Sequence, residues 1–168
     1  MDKTKKRFVL SYDKPAPLGN ETLSCLDKEN RQDDGWEKWS LPLGNGYMGA
    51  CVFGRTEVER IQITENSLSN PMYDKNCGAG LNNLAEIYID FSHSDVLDYR
   101  RELDIDNAVA TVEYQSGGAS YKREYFTSYR DKVLAIKCTS SFPKKLSFTV
   151  KAESPYLGEY CMEPGDGC

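Results

Sequence analysis

Along much of the chain, apolar and polar side chains alternate one by one, the mark of half-buried β-strands rather than helices. In Leu146-Ser147-Phe148-Thr149-Val150-Lys151-Ala152 the apolar groups fall at every second position, with Ser147, Thr149 and Lys151 between them. This predicts a strand with one face in a core and one in water. Val133 to Cys138 follows the same scheme, with Leu134, Ile136 and Cys138 on one side and Val133, Ala135 and Lys137 on the other. Arg60 to Thr64, Ile87 to Phe91 and Phe8 to Tyr12 are shorter runs of strand length, rich in β-branched and aromatic residues.

The clearest pairing signal is Ala108 to Tyr114, then Gln115-Ser116-Gly117-Gly118, then Ala119 to Phe126. The two glycines supply the positive φ that a tight hairpin turn needs. Turn chemistry recurs at Asp104-Ile105-Asp106-Asn107, at Arg130-Asp131 and at Phe142-Pro143-Lys144-Lys145. No segment sustains a helical period. The polar stretch Gly19 to Gly35 and the Asn-, Gly- and Pro-rich stretch Asn70 to Asn83 read as long loops, a length that usually marks function or mobility. The expected fold is all-β: an antiparallel β-sandwich with long loops, its successive strands covering one shared core.

Length fits one such domain over residues 1–168, because a chain of this size buries roughly two-thirds of the surface that its unfolded form exposes. The start, with Lys3, Lys5, Lys6 and Arg7, reads as a solvated basic tail over residues 1–7, and residues 155–168 read as a loosely ordered tail. With 26 acidic against 21 basic residues the net charge is -5, so no global basic field draws the chain to nucleic acid or anionic lipid. No apolar run suits a secretion signal or a membrane span. Six cysteines lack the density and short spacing of a disulfide scaffold, and Cys51 and Cys138, inside strand-like runs, read as small core hydrophobes. These features together predict a cytoplasmic protein. The Asn20-Glu21-Thr22 sequon would matter only in a glycosylating pathway.

Candidate chemistry is sparse. The single histidine, His93, is the one base available to a nucleophile, no GxSxG elbow accompanies it, and it reads as a surface-loop residue. It does not complete a Cys/His zinc set, so no metal or cofactor is expected. Gly44, Gly46 and Gly49 are spaced wrongly for a phosphate cradle and run into a strand rather than a helix. Glycoside hydrolysis needs two carboxyl groups roughly 5 to 10 Å apart across a cleft. Glu57, Glu59, Glu65, Glu86 and Asp90 lie near strands, but spacing alone sets no two of them across a sugar ring, and charged strand ends facing water account for them. Trp36 and Trp39 border the Gly-rich turn, where a buried core tryptophan is the expected role ahead of a sugar-stacking platform.

The run Trp39-Ser40-Leu41-Pro42-Leu43-Gly44-Asn45-Gly46-Tyr47-Met48-Gly49-Ala50-Cys51-Val52-Phe53-Gly54 resembles the opening signature of glycoside hydrolase family 95, a Trp followed by LPxGNGxxGA and a strand ending in Gly. Glu59 to Leu68 is similar to the family's ERIxLNEDTLW segment. The likeness resumes at Ile87 to Phe91 and continues through DYRRELDIDNAVATVEY and YKREYFTSYRDKVLAIK, in order over residues 39–138. It implies an N-terminal β-sandwich, here a partial super-sandwich, packed against an (α/α)6 barrel in an inverting α-L-fucosidase or α-L-galactosidase. In that family the catalytic acid and the groups that activate water belong to the barrel. On this resemblance the chain stops before the barrel and is inactive alone, meeting a fucosylated or galactosylated glycan only through that partner domain.

The resemblance further implies that Asn45, Glu65 and Asn66 lie on loops facing the barrel, near the rim of its pocket. With Gly46 and Trp39 they form the set of substrate-rim or docking residues. Independently of the family, Gly44, Gly46 and Gly49 permit close backbone approach, and Asn45 tolerates a left-handed conformation and offers an amide. The pattern also departs from the family: Ser69 replaces a Trp, the loop Pro71 to Asn83 replaces a helical insertion, and Arg130 replaces a Pro. Two other functions fit a sandwich of this composition, a free-standing carbohydrate-binding module using Trp36, Trp39 or tyrosines, and a purely structural or dimerising domain.

Overall fold

A computed structural model describes residues 8–18, 35–68 and 83–153. The expected tails over residues 1–7 and 155–168, most of both long loops, the sequon and Cys25, Cys77, Cys161 and Cys168 lie outside the described residues. Among the described residues ten strands form two antiparallel sheets of five. The first runs β1 (Val9–Tyr12), β6 (Leu97–Asp104), β7 (Val109–Ser116), β8 (Ala119–Ser128) and β9 (Val133–Ser140). The second runs β10 (Thr149–Glu153), β5 (Asn83–Asp90), β4 (Val58–Glu65), β3 (Met48–Val52) and β2 (Leu41–Gly44). One short helix, α1 (Gly35–Trp39), precedes β2.

Alternation along each strand builds the sandwich. Ile61 and Ile63 of β4, Ala50 and Val52 of β3 and Leu41 and Leu43 of β2 turn inward from the second sheet, meeting Ala110, Val112, Tyr114, Tyr121 and Tyr125 of the first. Fully burying an aliphatic or aromatic side chain of this size contributes roughly 1.5–3 kcal/mol. The β7–β8 hairpin closes as its glycines predict, with Ser116 opposite Ala119 and Gly117 and Gly118 at φ of 54° and 76°.

At the open side of the sandwich the pattern and the structure part. The last strand begins at Thr149 rather than Leu146, and Val150 is 56% exposed although it lies beside the buried Ile89 on the same face of the sheet. Leu134, Ile136 and Cys138 of β9 are only half covered. Alternation encodes which face a side chain takes, but not whether the opposite sheet reaches that far, and β9 and β10 are both edge strands.

Inside, the core is charged as well as apolar. Glu59, expected as a strand-end charge facing water, is fully buried: its Oε1 accepts from the backbone N–H groups of Gly54 (2.8 Å) and Arg60 (3.1 Å), and its Oε2 from the Tyr125 hydroxyl (2.9 Å). Arg123 Nη1 approaches that same Oε2 at 3.1 Å without the alignment of a hydrogen bond, while Nη2 donates to the Arg55 carbonyl at 2.7 Å. Its guanidinium lies 4.8 Å from the Phe91 ring centre. Burial first, and then the Glu59 carboxylate, hold the Tyr125 hydroxyl well above the ordinary tyrosine pKa, so it remains a donor. Glu86, read likewise as exposed, is also buried, not between the sheets but on the other face of the second sheet opposite Gln62, against Arg60 in a paired contact (2.8 and 3.0 Å).

Arginines also fasten the N-terminal segment. Arg101 donates from Nε to the Lys14 carbonyl (3.0 Å), donates from Nη1 to the Trp39 carbonyl, and covers the Tyr12 ring at 4.2 Å. Arg55 donates to the Pro17 carbonyl at 2.9 Å.

His93 is more covered than a surface-loop residue. Its ring lies 4.2 Å from that of Tyr121, and Nδ1 is 2.9 Å from the Tyr114 hydroxyl. Burial, and then the Arg123 charge, lower its pKa below the ordinary 6.5. The unfolded chain therefore takes up a proton that the folded chain resists, so this contribution is complete above pH 6.5 and is lost as pH falls below it. His93→Phe is expected to flatten the fall in urea midpoint between about pH 8 and about pH 5. An unchanged slope would contradict this account.

Candidate functional site

The β2–β3 turn, the end of β4 and the β8–β9 turn meet at one end of the sandwich. Asn45 makes the first link. Its Oδ1 accepts from the backbone N–H groups of Tyr47 (2.9 Å) and Met48 (2.8 Å), and its Nδ2 donates across the sandwich to the Ser128 carbonyl (2.7 Å). The left-handed residue is Gly46, at φ 84°, and not Asn45, which serves through its amide. Asn66 follows β4, and its N–H donates to the Tyr47 carbonyl (2.9 Å), drawing the short 3-10 turn Asn66–Leu68 onto the same hairpin.

Glu65 closes β4 and is the chemical centre of this end. Only 9% exposed, it accepts from the Ser67 hydroxyl at Oε2 and lies within reach of the Tyr47 hydroxyl. The Ser67 bond, and then the Tyr47 contact, lower its pKa, so it is a carboxylate at neutral pH. Tyr47 is raised in turn, chiefly by its bond to Glu65. Lys132, in the β8–β9 turn, sits 4.4 Å over the Tyr47 ring. Glu65 Oε1 is covered yet has no aligned donor. A general acid in glycoside hydrolysis needs a raised pKa, so Glu65 suits accepting hydrogen bonds rather than delivering a proton. Glu59 and Glu86 are committed inside the fold.

Of the residues singled out in the sequence, Asn45, Gly46, Glu65 and Asn66 come together here. Trp39 does not: it precedes β2 at the far end of that strand, with its carbonyl on Arg101. Tyr47, Ser67, Ser128 and Lys132 complete the group. Tyr47 and Ser67 were within reach of sequence reasoning, each two residues from a chosen polar side chain. Ser128 and Lys132 come from the other sheet and carry no local signal.

Trp36 and Trp39 are exposed rather than core residues. Trp36 borders an open groove of about 510 Å3 on the outer face of the second sheet, where Cys51 also lies, half-buried and not in the core. Among the described residues no group of three or more His, Cys, Asp or Glu side chains is placed to hold a metal, and no helix is long and apolar enough to cross a membrane.

Fold and site together define a two-sheet antiparallel sandwich domain with a hydrogen-bond-accepting loop end. The model of the family described as glycosyl hydrolase family 65, N-terminal domain, matches residues 10–70 and 69–164, and the chain belongs to that family. It is similar to Alpha-L-fucosidase 2 of Arabidopsis thaliana, 28% identical over 153 residues that cover 68% of this chain and 18% of the relative. It is also similar to Probable alpha-fucosidase A of Aspergillus niger, 28% identical over 142 residues that cover 61% of this chain and 18% of the relative. The chain thus spans about a fifth of the length of these curated relatives.

Proposed function

We propose that the chain is the N-terminal domain of a family 95 α-L-fucosidase-type hydrolase, packing on an (α/α)6 barrel and shaping the rim of its pocket. The barrel supplies the hydrolytic acids, and a fucosylated or galactosylated glycan is reached through it. One observation carries this reading: an N-terminal-domain family spans nearly the whole chain, while the same chain answers to 18% of two proteins named as fucosidases. The loop end fits the role. Loops of both sheets converge there around an ionised, largely buried Glu65 that holds the loop end in shape for a neighbouring domain to rest on.

The test replaces the matching segment of Alpha-L-fucosidase 2 with this chain. The chimera is expected to be soluble and to release fucose, and Glu65→Ala within it to lower that release about tenfold or more, for loss of a charge-assisted hydrogen bond. A soluble chimera that releases no fucose sinks the proposal.

A further inference from the structure

The open side of the sandwich is bordered by one edge of each sheet, β9 of the first and β10 of the second. Among the described residues β9 is bonded to β8 alone and β10 to β5 alone, so each ladder stops there. Both edges turn apolar groups toward the interior without covering them. Leu134, Ile136 and Cys138 are half-buried, while Phe148, just before β10, and Val150, within it, are 46% and 56% exposed. An unpaired edge with apolar side chains is a template for a further strand.

The two edges match each other in height and direction. Tyr125 pairs with Ile136 in the first sheet, and Glu59 with Ile89 and Ile89 with Val150 in the second. The Tyr125 hydroxyl donates to Glu59 across the core (2.9 Å), so Ile136 and Val150 end two rungs at one level. Because Tyr125 meets Glu59 and Ser128 meets Asn45 beside the end of β4, β8 and β4 run the same way. β9, one antiparallel step from β8, therefore runs opposite to β10, two such steps from β4. A half-turn about an axis parallel to the strands, midway between the edges, lays a second copy's β10 along β9. The pair is antiparallel, and both inner faces stay inward.

We propose that a second copy of this chain closes the open side, in a two-fold dimer whose joined edges make two sheets of ten strands. Val150 of the second copy falls opposite Ile136, which sets the register: Ala152 opposite Leu134 and Phe148 opposite Cys138 inside, Lys151 opposite Ala135 and Thr149 opposite Lys137 outside. Apolar groups meet apolar groups within, and no like charges are opposed on the outer face. The connection from β9 to β10 is tied to the interior by the Tyr121 hydroxyl, which donates to the Lys145 carbonyl (3.3 Å), and by the Phe148 ring, 5.5 Å from that of Phe91. The Glu65 end lies at the tips of the strands rather than along their edges, so the dimer does not depend on the barrel-packing reading.

Sedimentation equilibrium of the 168-residue chain tests the assignment, and a particle of twice 19.0 kDa is expected at about 50 μM. Val150→Lys sets a charge opposite Ile136 and is expected to raise the dissociation constant about tenfold or more. It alters an exposed side chain, and circular dichroism shows whether the variant is folded. A second variant reads the register: Lys137→Cys with Thr149→Cys. Within one copy these positions face outward from opposite sheets, which pack about 10 Å apart, so they join only between copies. Mild oxidation is expected to give a disulfide-linked dimer whose 137–149 peptide is found by mass spectrometry. A monomer at every concentration assigns the open side to another occupant and overturns the proposal. So does a dimer that Val150→Lys leaves unchanged, or one in which no 137–149 link forms. The readout needs no fucose release, so its failure and that of the barrel-packing reading are distinguishable.

Discussion

Glu59→Ala is expected to cost the fold a large part of its stability. The carboxylate is fully buried, caps the N–H groups of Gly54 and Arg60, accepts from Tyr125 and stands opposite Arg123. Removing it strands a buried guanidinium beside Phe91 and leaves the backbone N–H groups of Gly54, Arg55 and Arg60 and a hydroxyl without an acceptor. Breaking a buried ion pair from one side costs about 3–5 kcal/mol, against a total stability of about 5–15 kcal/mol for an ordinary domain. Tyr125→Phe removes one hydrogen bond only and is expected to cost about 1 kcal/mol. Urea unfolding followed by circular dichroism separates the two. A Glu59→Ala protein with the native midpoint would show that the charged core contributes little.

Gly54→Ala comes next in size. Gly54 sits at φ 72°, where a side chain is strained, and an added Cβ would stand 2.7 Å from the Tyr99 hydroxyl oxygen and 2.8 Å from Arg101 Cδ. Neither neighbour is free to retreat, because the Tyr99 hydroxyl donates to the Gly54 carbonyl (2.5 Å) and Arg101 is held by the Lys14 carbonyl (3.0 Å). Left-handed strain and overpacking together amount to about 2–5 kcal/mol. Gly46→Ala isolates the backbone part: φ is 84°, but nothing lies within 4 Å of the added Cβ, so about 1–2 kcal/mol is expected. Equal shifts in unfolding midpoint for the two variants would refute the steric part of this account.

Strand identity was legible wherever one face of a strand is aliphatic. Ile61 and Ile63, Val112 and Tyr114, and the Gly117-Gly118 turn announce β4, β7 and the hairpin without help. The strand β6 is harder to read, because Tyr99 and Arg101 take inward places that aliphatics hold elsewhere and Leu103 is the one apolar residue among the three. Charge misled for a related reason. Glu59, Glu86 and Arg123 look like solvated strand residues in a linear pattern, and only the tertiary structure shows that they satisfy one another or nearby backbone. Trp36 and Trp39 failed in the opposite sense, since aromatic size suggests a core but helix α1 lies at the surface. For the loop end, turn chemistry pointed to Asn45 and Gly46, whereas the approach of Ser128 and Lys132 depends on how two sheets stack, which no local window records.

The fastening of the N-terminal segment bears on how the polypeptide matures during synthesis. Val9 to Tyr12 find their ladder partners at Arg101 to Asp104, and Lys14 waits for the side chain of Arg101. A nascent chain emerging from the ribosome carries that first strand unpaired until the sixth has been made, so the early part of translation yields an open edge in need of shelter. Pairing of the first strand is a late event, set by the arrival of Arg101 rather than by anything in the segment that it secures.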